Sequence, residues 1–161
     1  MEMAKACLRD GTPFGVCLIS EGSEVGDPAC PVDVGCVARI TSWDMPQLGV
    51  LQIGARGEQR FRILERRVQP DGLARATISL LPQDSDCGIP ENCRRCVKLL
   101  ERVIDQHGES YLEPPYHLES SSWVSSRLAE LLPLPLPAKQ ELLELADGQA
   151  RLERLNALLG T

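Results

Sequence analysis

The feature that most constrains this chain is a change of hydrophobic period near its middle. From Asp33 to Pro82 apolar residues recur at every second position. Val34, Cys36, Ala38 and Ile40 alternate with Gly35, Val37, Arg39 and Thr41, and Leu51, Ile53 and Ala55 form the next inward set. Arg60-Phe61-Arg62-Ile63 then alternates charge with bulk. A two-residue period sorts side chains to opposite faces of a strand, so the region predicts an antiparallel meander with one wet face. Gln69-Pro70-Asp71-Gly72 supplies a hairpin turn, because proline presets φ and glycine accepts a positive φ. The return strand places Ala74, Ala76, Ile78 and Leu80 inward and Arg75, Thr77 and Ser79 outward.

After Pro90 the spacing becomes helical. Cys93, Cys96, Val97, Leu100, Val103, Ile104 and His107 share one stripe of a helix of about 17 residues, which Gly108 closes. Ser120 to Leu132 forms a second helix with Val124, Leu128 and Leu131 inward, stopped by Pro133. Pro137 opens a third, and Asp147 caps a last helix carrying Leu152, Leu155 and Leu159. Ahead of the meander, Met3 to Arg9 reads as the end of a short helix stopped by Asp10-Gly11, Phe14 to Ile19 as a buried strand, and residues 20–32 as a loop. The expectation is an α+β chain, with a β-rich subdomain over residues 1–86 and a helical bundle subdomain over residues 87–161.

Composition narrows the function. With 43% hydrophobic and 25% charged residues, the chain has the make-up of a folded protein. Seven cysteines without a disulfide-scaffold spacing fit free, mostly buried thiols in a reducing cytoplasm. Apolar runs fall short of the roughly 18 residues that span a bilayer, and the N-terminus has no apolar stretch long enough for a signal peptide. The net charge of −6 argues against general nucleic-acid binding. It is unevenly spread: residues 1–75 carry 9 bases and 10 acids, residues 76–161 carry 8 and 13. Within residues 56–75 six arginines (Arg56, Arg60, Arg62, Arg66, Arg67 and Arg75) face Glu58, Glu65 and Asp71. This basic stretch offers a place for an acidic partner or for RNA, although a solvated strand face is the plainer reading.

Motifs that carry chemistry are weak. Cys93-x2-Cys96 resembles half of a zinc knuckle, with Cys87, Cys30 and Cys36 as further candidates, but both lie on an apolar helical stripe where cysteine packs as a small hydrophobe. His107 and His117 make a Cys–His pair formally available, yet His107 ends a helix, where an imidazole complements the dipole. Gly54-Ala55-Arg56-Gly57-Glu58 lacks the Gly-Lys-Ser/Thr ending of a phosphate loop and reads as a β-turn. Pro133-Leu134-Pro135-Leu136-Pro137 lacks the Pro-x-x-Pro register of polyproline ligands and reads as a rigid connector. The expectation is therefore no catalytic residue, no metal and no cofactor. Trp43 and Met45, at the tip between two strands, and Leu48 are the candidate peptide-binding residues.

Two groups of motifs carry a family resemblance. The first is Cys7-Leu8-x2-Gly11-x-Pro13-Phe14-Gly15-Val16, then Val34-Gly35-Cys36-Val37-Ala38-Arg39-Ile40 and Gly57-x2-Arg60-Phe61-Arg62-Ile63. The second is Arg127-Leu128-Ala129-Glu130-Leu131-Leu132-Pro133-Leu134-Pro135, then Lys139-Gln140-x-Leu142-Leu143-Glu144-Leu145 and Arg151-Leu152. In that order the chain resembles the N-terminal, substrate-binding domain of Lon proteases over nearly its whole length. The resemblance implies a PUA-like pseudo-barrel followed by a helical bundle. It also implies a stand-alone, non-catalytic module that binds unfolded or extended protein segments, with a protease or ATPase in trans as a further partner. RNA binding through the arginine-rich segment is the alternative that a PUA-like barrel brings. The family pattern usually opens with an apolar strand ahead of the first helix, whereas Met1-Glu2-Met3 matches the middle of that helix. This implies a barrel short of its first strands, with an unpaired edge.

Overall fold

A computed structural model describes residues 2–21, 30–70, 72–85, 87–107 and 112–160, with Glu21 described for its backbone alone. The chain divides into two compact units, Met1–Gln83 and Asp84–Thr161. The fold is α+β, as the change of period predicts.

The first unit opens with α1 (Glu2–Asp10), which ends where Gly11 takes φ +65. Strands β1 (Phe14–Val16), β2 (Ile19–Glu21), β3 (Cys30–Pro31), β4 (Val34–Gln47), β5 (Val50–Val68) and β6 (Ala74–Leu80) follow. Among the described residues they form an antiparallel sheet in the order β1-β4-β5-β6 and a separate β2-β3 pair. Closure into a barrel is not seen among these pairings: the larger sheet has β1 at one end and β6 at the other. The β4–β5 ladder shifts register at Cys36/Ala38, Ile40/Ser42 and Asp44/Gln47, each a bulge or irregularity of the kind that adds local twist.

The core of this unit gathers around Phe61. Phe61 stands opposite Gly35, and a Cβ at Gly35 would lie 2.7 Å from the Phe61 ring and 2.5 Å from the Cys17 sulfur. Glycine is thus required there by close approach. Val34, Ala38, Ala4 and Cys7 complete the buried apolar set.

The second unit is helical. A 3-10 turn (Glu91–Cys93) leads into α2 (Arg94–His107), followed by α3 (Ser121–Leu131), α4 (Leu136–Glu144) and α5 (Gly148–Leu158). The caps follow the sequence signals. Ser120 accepts the Trp123 amide at 3.1 Å, and Asp147 accepts the Gln149 amide at 2.9 Å, each satisfying an otherwise orphan helix donor. Leu100, Leu128, Leu142, Leu152 and Leu155 are fully buried with Val124, Cys93 and Cys96. Each buried leucine contributes roughly 1.5–3 kcal/mol of transfer free energy.

Inside this apolar cluster sits one guanidinium. Arg151, on α5, donates from Nε to the Leu142 carbonyl at 2.9 Å and from Nη2 to the Leu145 carbonyl at 2.7 Å. Both acceptors belong to the C-terminal turn of α4, whose last carbonyls have no helical donor. Its Nη1 meets Asp84 Oδ2 at 2.6 Å, with side chains only 5% and 6% exposed, and lies 3.4 Å from the Ser125 and Ser126 hydroxyls. Ser122 donates to the same Asp84 oxygen at 3.0 Å.

Several expectations need correction. The Phe14–Ile19 run is two strands rather than one, and Val16 is exposed. Residues 20–32 are not simply a loop, since Ile19–Glu21 pairs with Cys30–Pro31; the turn formers concentrate at residues 22–29, which lie outside the described residues. Gly54–Glu58 is strand interior, not a turn, with Gly57 opposite Ala38 and Arg56 opposite Arg39. Its glycines answer to crowding: a Cβ at Gly57 would meet the Cys36 sulfur at 3.2 Å. Ala55, Ala74, Ala76, Ile78 and Leu80 alternate as expected but are exposed, because no described element covers that part of the sheet. Leu159 is likewise exposed, at the C-cap of α5. In the Gln69–Gly72 turn, Gly72 has φ +83 and donates to Gln69 at 2.9 Å; Asp71 and the helix stop at Gly108 lie outside the described residues.

Replacing Arg151 by methionine removes the counter-charge of a buried carboxylate and the two hydrogen bonds that the guanidinium gives to the Leu142 and Leu145 carbonyls at the end of α4. The predicted loss in urea unfolding is about 3–5 kcal/mol, partly recovered by adding Asp84→Leu. A loss below about 1 kcal/mol would show that the pair is not buried as described.

Candidate functional site

The β4–β5 hairpin extends well beyond its core-packed base. Its base is anchored by Val34, Ala38 and Phe61, whereas every residue from Thr41 to Val50 is exposed. The turn is Leu48-Gly49, with Gly49 at φ +87, a conformation that favours glycine. The sequence places Trp43 and Met45 at the tip; they lie instead within the C-terminal part of strand β4, and Leu48 lies in the turn itself. Trp43, Met45 and Leu48 are 59%, 44% and 98% exposed, and Val50 beside them is also exposed.

Trp43 pairs with Ile53 across the ladder, so the two side chains share a face. Ile53 and Leu51 line an open groove of about 360 Å³ together with Ala4 of α1, Gly49 and Val50. The three exposed residues are legible in the sequence, whereas the groove is not, because its α1 wall is set by tertiary packing. Asp44 is the one ionisable side chain between Ser42 and Ile53. An apolar, open surface of this kind offers apolar area and an aromatic ring for contact.

The remaining candidates are scattered. Cys93 and Cys96 are buried among leucines. Burial pushes both thiols up; Glu153 further disfavours the Cys93 thiolate and Cys93 the Cys96 thiolate, with Arg95 opposing in each case. Burial also raises Cys17 and Cys36. A nucleophilic cysteine needs the opposite shift. His107 ends α2, and His117 lies on the surface with Nδ1 3.4 Å from Glu119 Oε1. Among the described residues no group of three or more His, Cys, Asp or Glu side chains is placed to hold a metal. No described helix is long and apolar enough to cross a membrane.

The whole chain, residues 1–161, matches the profile of the ATP-dependent protease La (LON) substrate-binding domain. The chain belongs to the Lon substrate-binding domain family. The crystal structure of the Lon N-terminal domain protein from Xanthomonas campestris is 34% identical, with a TM-score of 0.78 over 97% of this chain and 81% of that one. The N-terminal domain of Mycobacterium avium complex Lon protease shares the fold at 17% identity, with a TM-score of 0.55 over 89% of this chain and 88% of that one. A search of curated proteins gives no match. The family is that of the substrate-binding domain of Lon, not of its ATPase or protease domain.

Thiol chemistry gives a direct check. Iodoacetamide at neutral pH is predicted to leave Cys93 and Cys96 unmodified in the native chain and to label both after denaturation. Because burial raises these thiols, labelling should stay slow until the pH is well above the usual thiol range. Rapid native labelling of Cys93 at pH 7 would contradict its buried placement.

Proposed function

We propose that this Lon-type domain is a non-catalytic binding module for unfolded or extended protein segments, with Trp43, Met45 and Leu48 as contact residues. The observation that carries the reading is an apolar cluster presented to solvent at the end of a long hairpin. A chain gains by burying such groups, and their persistence at the surface beside a groove fits capture of another apolar segment. The hairpin supports the reading mechanically. Register shifts and a core-packed base hold the backbones of Trp43 and Ile53 in one pairing, so the aromatic residue is presented from a fixed position on the ladder. The wide exposure of the tip suits ligands of varied sequence, which a closed pocket would exclude.

The test uses a permanently unfolded, reduced and carboxymethylated protein titrated against this chain. Saturable binding in the micromolar range is expected, with native folded protein as the non-binding control. Trp43→Ala should weaken binding about tenfold, roughly 1.4 kcal/mol, with the melting temperature unchanged because the ring is exposed. Absence of binding up to high micromolar concentrations would sink the proposal.

A further inference from the structure

The chain's three methionines are Met1, Met3 and Met45, and only Met45 lies in the β4–β5 hairpin. The ladder fixes its neighbours. Asp44 stands opposite Gln52 and Gln47 opposite Val50, so Met45 and Pro46 together face Leu51 alone. Pro46 has no N–H to give a ladder, which suits it to this two-against-one step. The Met45 amide donates to Asp44 Oδ1 at 2.7 Å, a local bond that holds the backbone at the step. Leu51 lines the groove with Ile53, and Ile53 stands opposite Trp43. Met45, 44% exposed, therefore occupies a ladder position beside Leu51 and two residues from the Trp43–Ile53 pair.

A flexible thioether adapts to ligands of varied shape, but it also carries a sulfur that peroxides oxidise. The sulfur lone pair attacks one peroxide oxygen and the O–O bond breaks. The proton of the transferred oxygen passes to the departing one, which leaves as water, so sulfur is oxidised to the sulfoxide and peroxide is reduced. The product replaces an apolar side chain by a polar one. Its oxygen is hydrated in the free chain, whereas burial against an apolar ligand without a donor is unfavourable. Oxidation thus penalises the bound state alone. The thiols compete poorly for peroxide, which reacts with thiolate: Cys7, Cys93 and Cys96 are buried, and burial keeps Cys17 and Cys36 protonated at neutral pH.

We infer that Met45 is a site of reversible oxidation by peroxides, and that its sulfoxide lowers the affinity of the hairpin surface for apolar segments. The reverse step belongs to methionine sulfoxide reductases, in which two thiols become a disulfide and the sulfoxide oxygen leaves as water. The inference rests on the reading of the hairpin as the contact surface and adds a control of that surface.

The experiment treats the full chain with hydrogen peroxide, removes the excess with catalase, and restores oxidised cysteines with dithiothreitol, which leaves a sulfoxide in place. Peptide mass spectrometry is expected to find one added oxygen at Met45. Binding of the reduced, carboxymethylated unfolded protein should then weaken about tenfold at unchanged melting temperature. The two methionine sulfoxide reductases together, one for each sulfoxide epimer, should restore it. Met45→Leu should bind as the untreated chain does and lose the response to peroxide. Met45→Gln, polar and of similar length, should bind about tenfold more weakly without any oxidant. Full affinity with Met45 oxidised, an unoxidised Met45 at a peroxide concentration that converts free methionine, or a loss of affinity that persists in Met45→Leu would each overturn the inference. If Trp43→Ala weakens binding but oxidation of Met45 does not, the control fails and the hairpin reading stands. If the untreated chain does not bind the unfolded protein, both fail.

Discussion

The helical unit depends on one buried ion pair. Arg151 reaches the α4 C-terminal turn, the α3 serines and Asp84 with a single guanidinium, so helices joined by short connections share one anchor. A buried pair of this kind is weak evidence for net stability, since an apolar replacement of both partners is often as stable. Its value lies in specificity. Leucines alone would tolerate several relative positions of α3, α4 and α5, whereas a planar fork with defined acceptors tolerates one. Asp84 stands at the start of this unit, so the same pair also fixes where the chain enters the bundle.

The β-rich unit follows a different logic. Its buried apolar set is small, and large side chains such as Trp43, Leu48, Leu64 and Leu80 remain at the surface. With few aromatics to fill space, Phe61 over Gly35 carries much of the packing, and a two-stranded projection extends beyond it. What this arrangement gives up in core it gains as exposed backbone and apolar surface. Those are the materials from which contacts with another chain are made.

The helical unit was largely legible in the sequence because its signals are local. Ser120, Pro133 and Asp147 mark helix ends by chemistry that acts within one turn, and the leucine stripes follow from a fixed period. The alternation in β6 was equally readable, but its burial was not. Period two says which side chains share a face; whether anything covers that face is decided by distant segments. The same limit explains Gly54–Glu58, where glycines that look like turn residues sit inside β5 because Cys36 and Ser42 approach from β4. Arg151 appeared in the sequence as part of a family motif, with nothing to show that it would be buried. Trp43, Met45 and Leu48 could be picked as exposed apolar residues near a turn, while the α1 side of the groove could not.

The bulges of the β4–β5 ladder have a consequence for stability of arrangement. A long, regular ribbon can slide by two residues and keep every side chain on its original face, which is how strands adopt alternative pairings. Here the shifts at Cys36/Ala38, Ile40/Ser42 and Asp44/Gln47 act as notches, the first with its extra residue on β5 and the other two with theirs on β4. A slipped ribbon would align each notch with a regular stretch, so all would have to be undone together. The hairpin is thereby keyed to one alignment, and a projection that is almost wholly solvated keeps a single shape without a core around it.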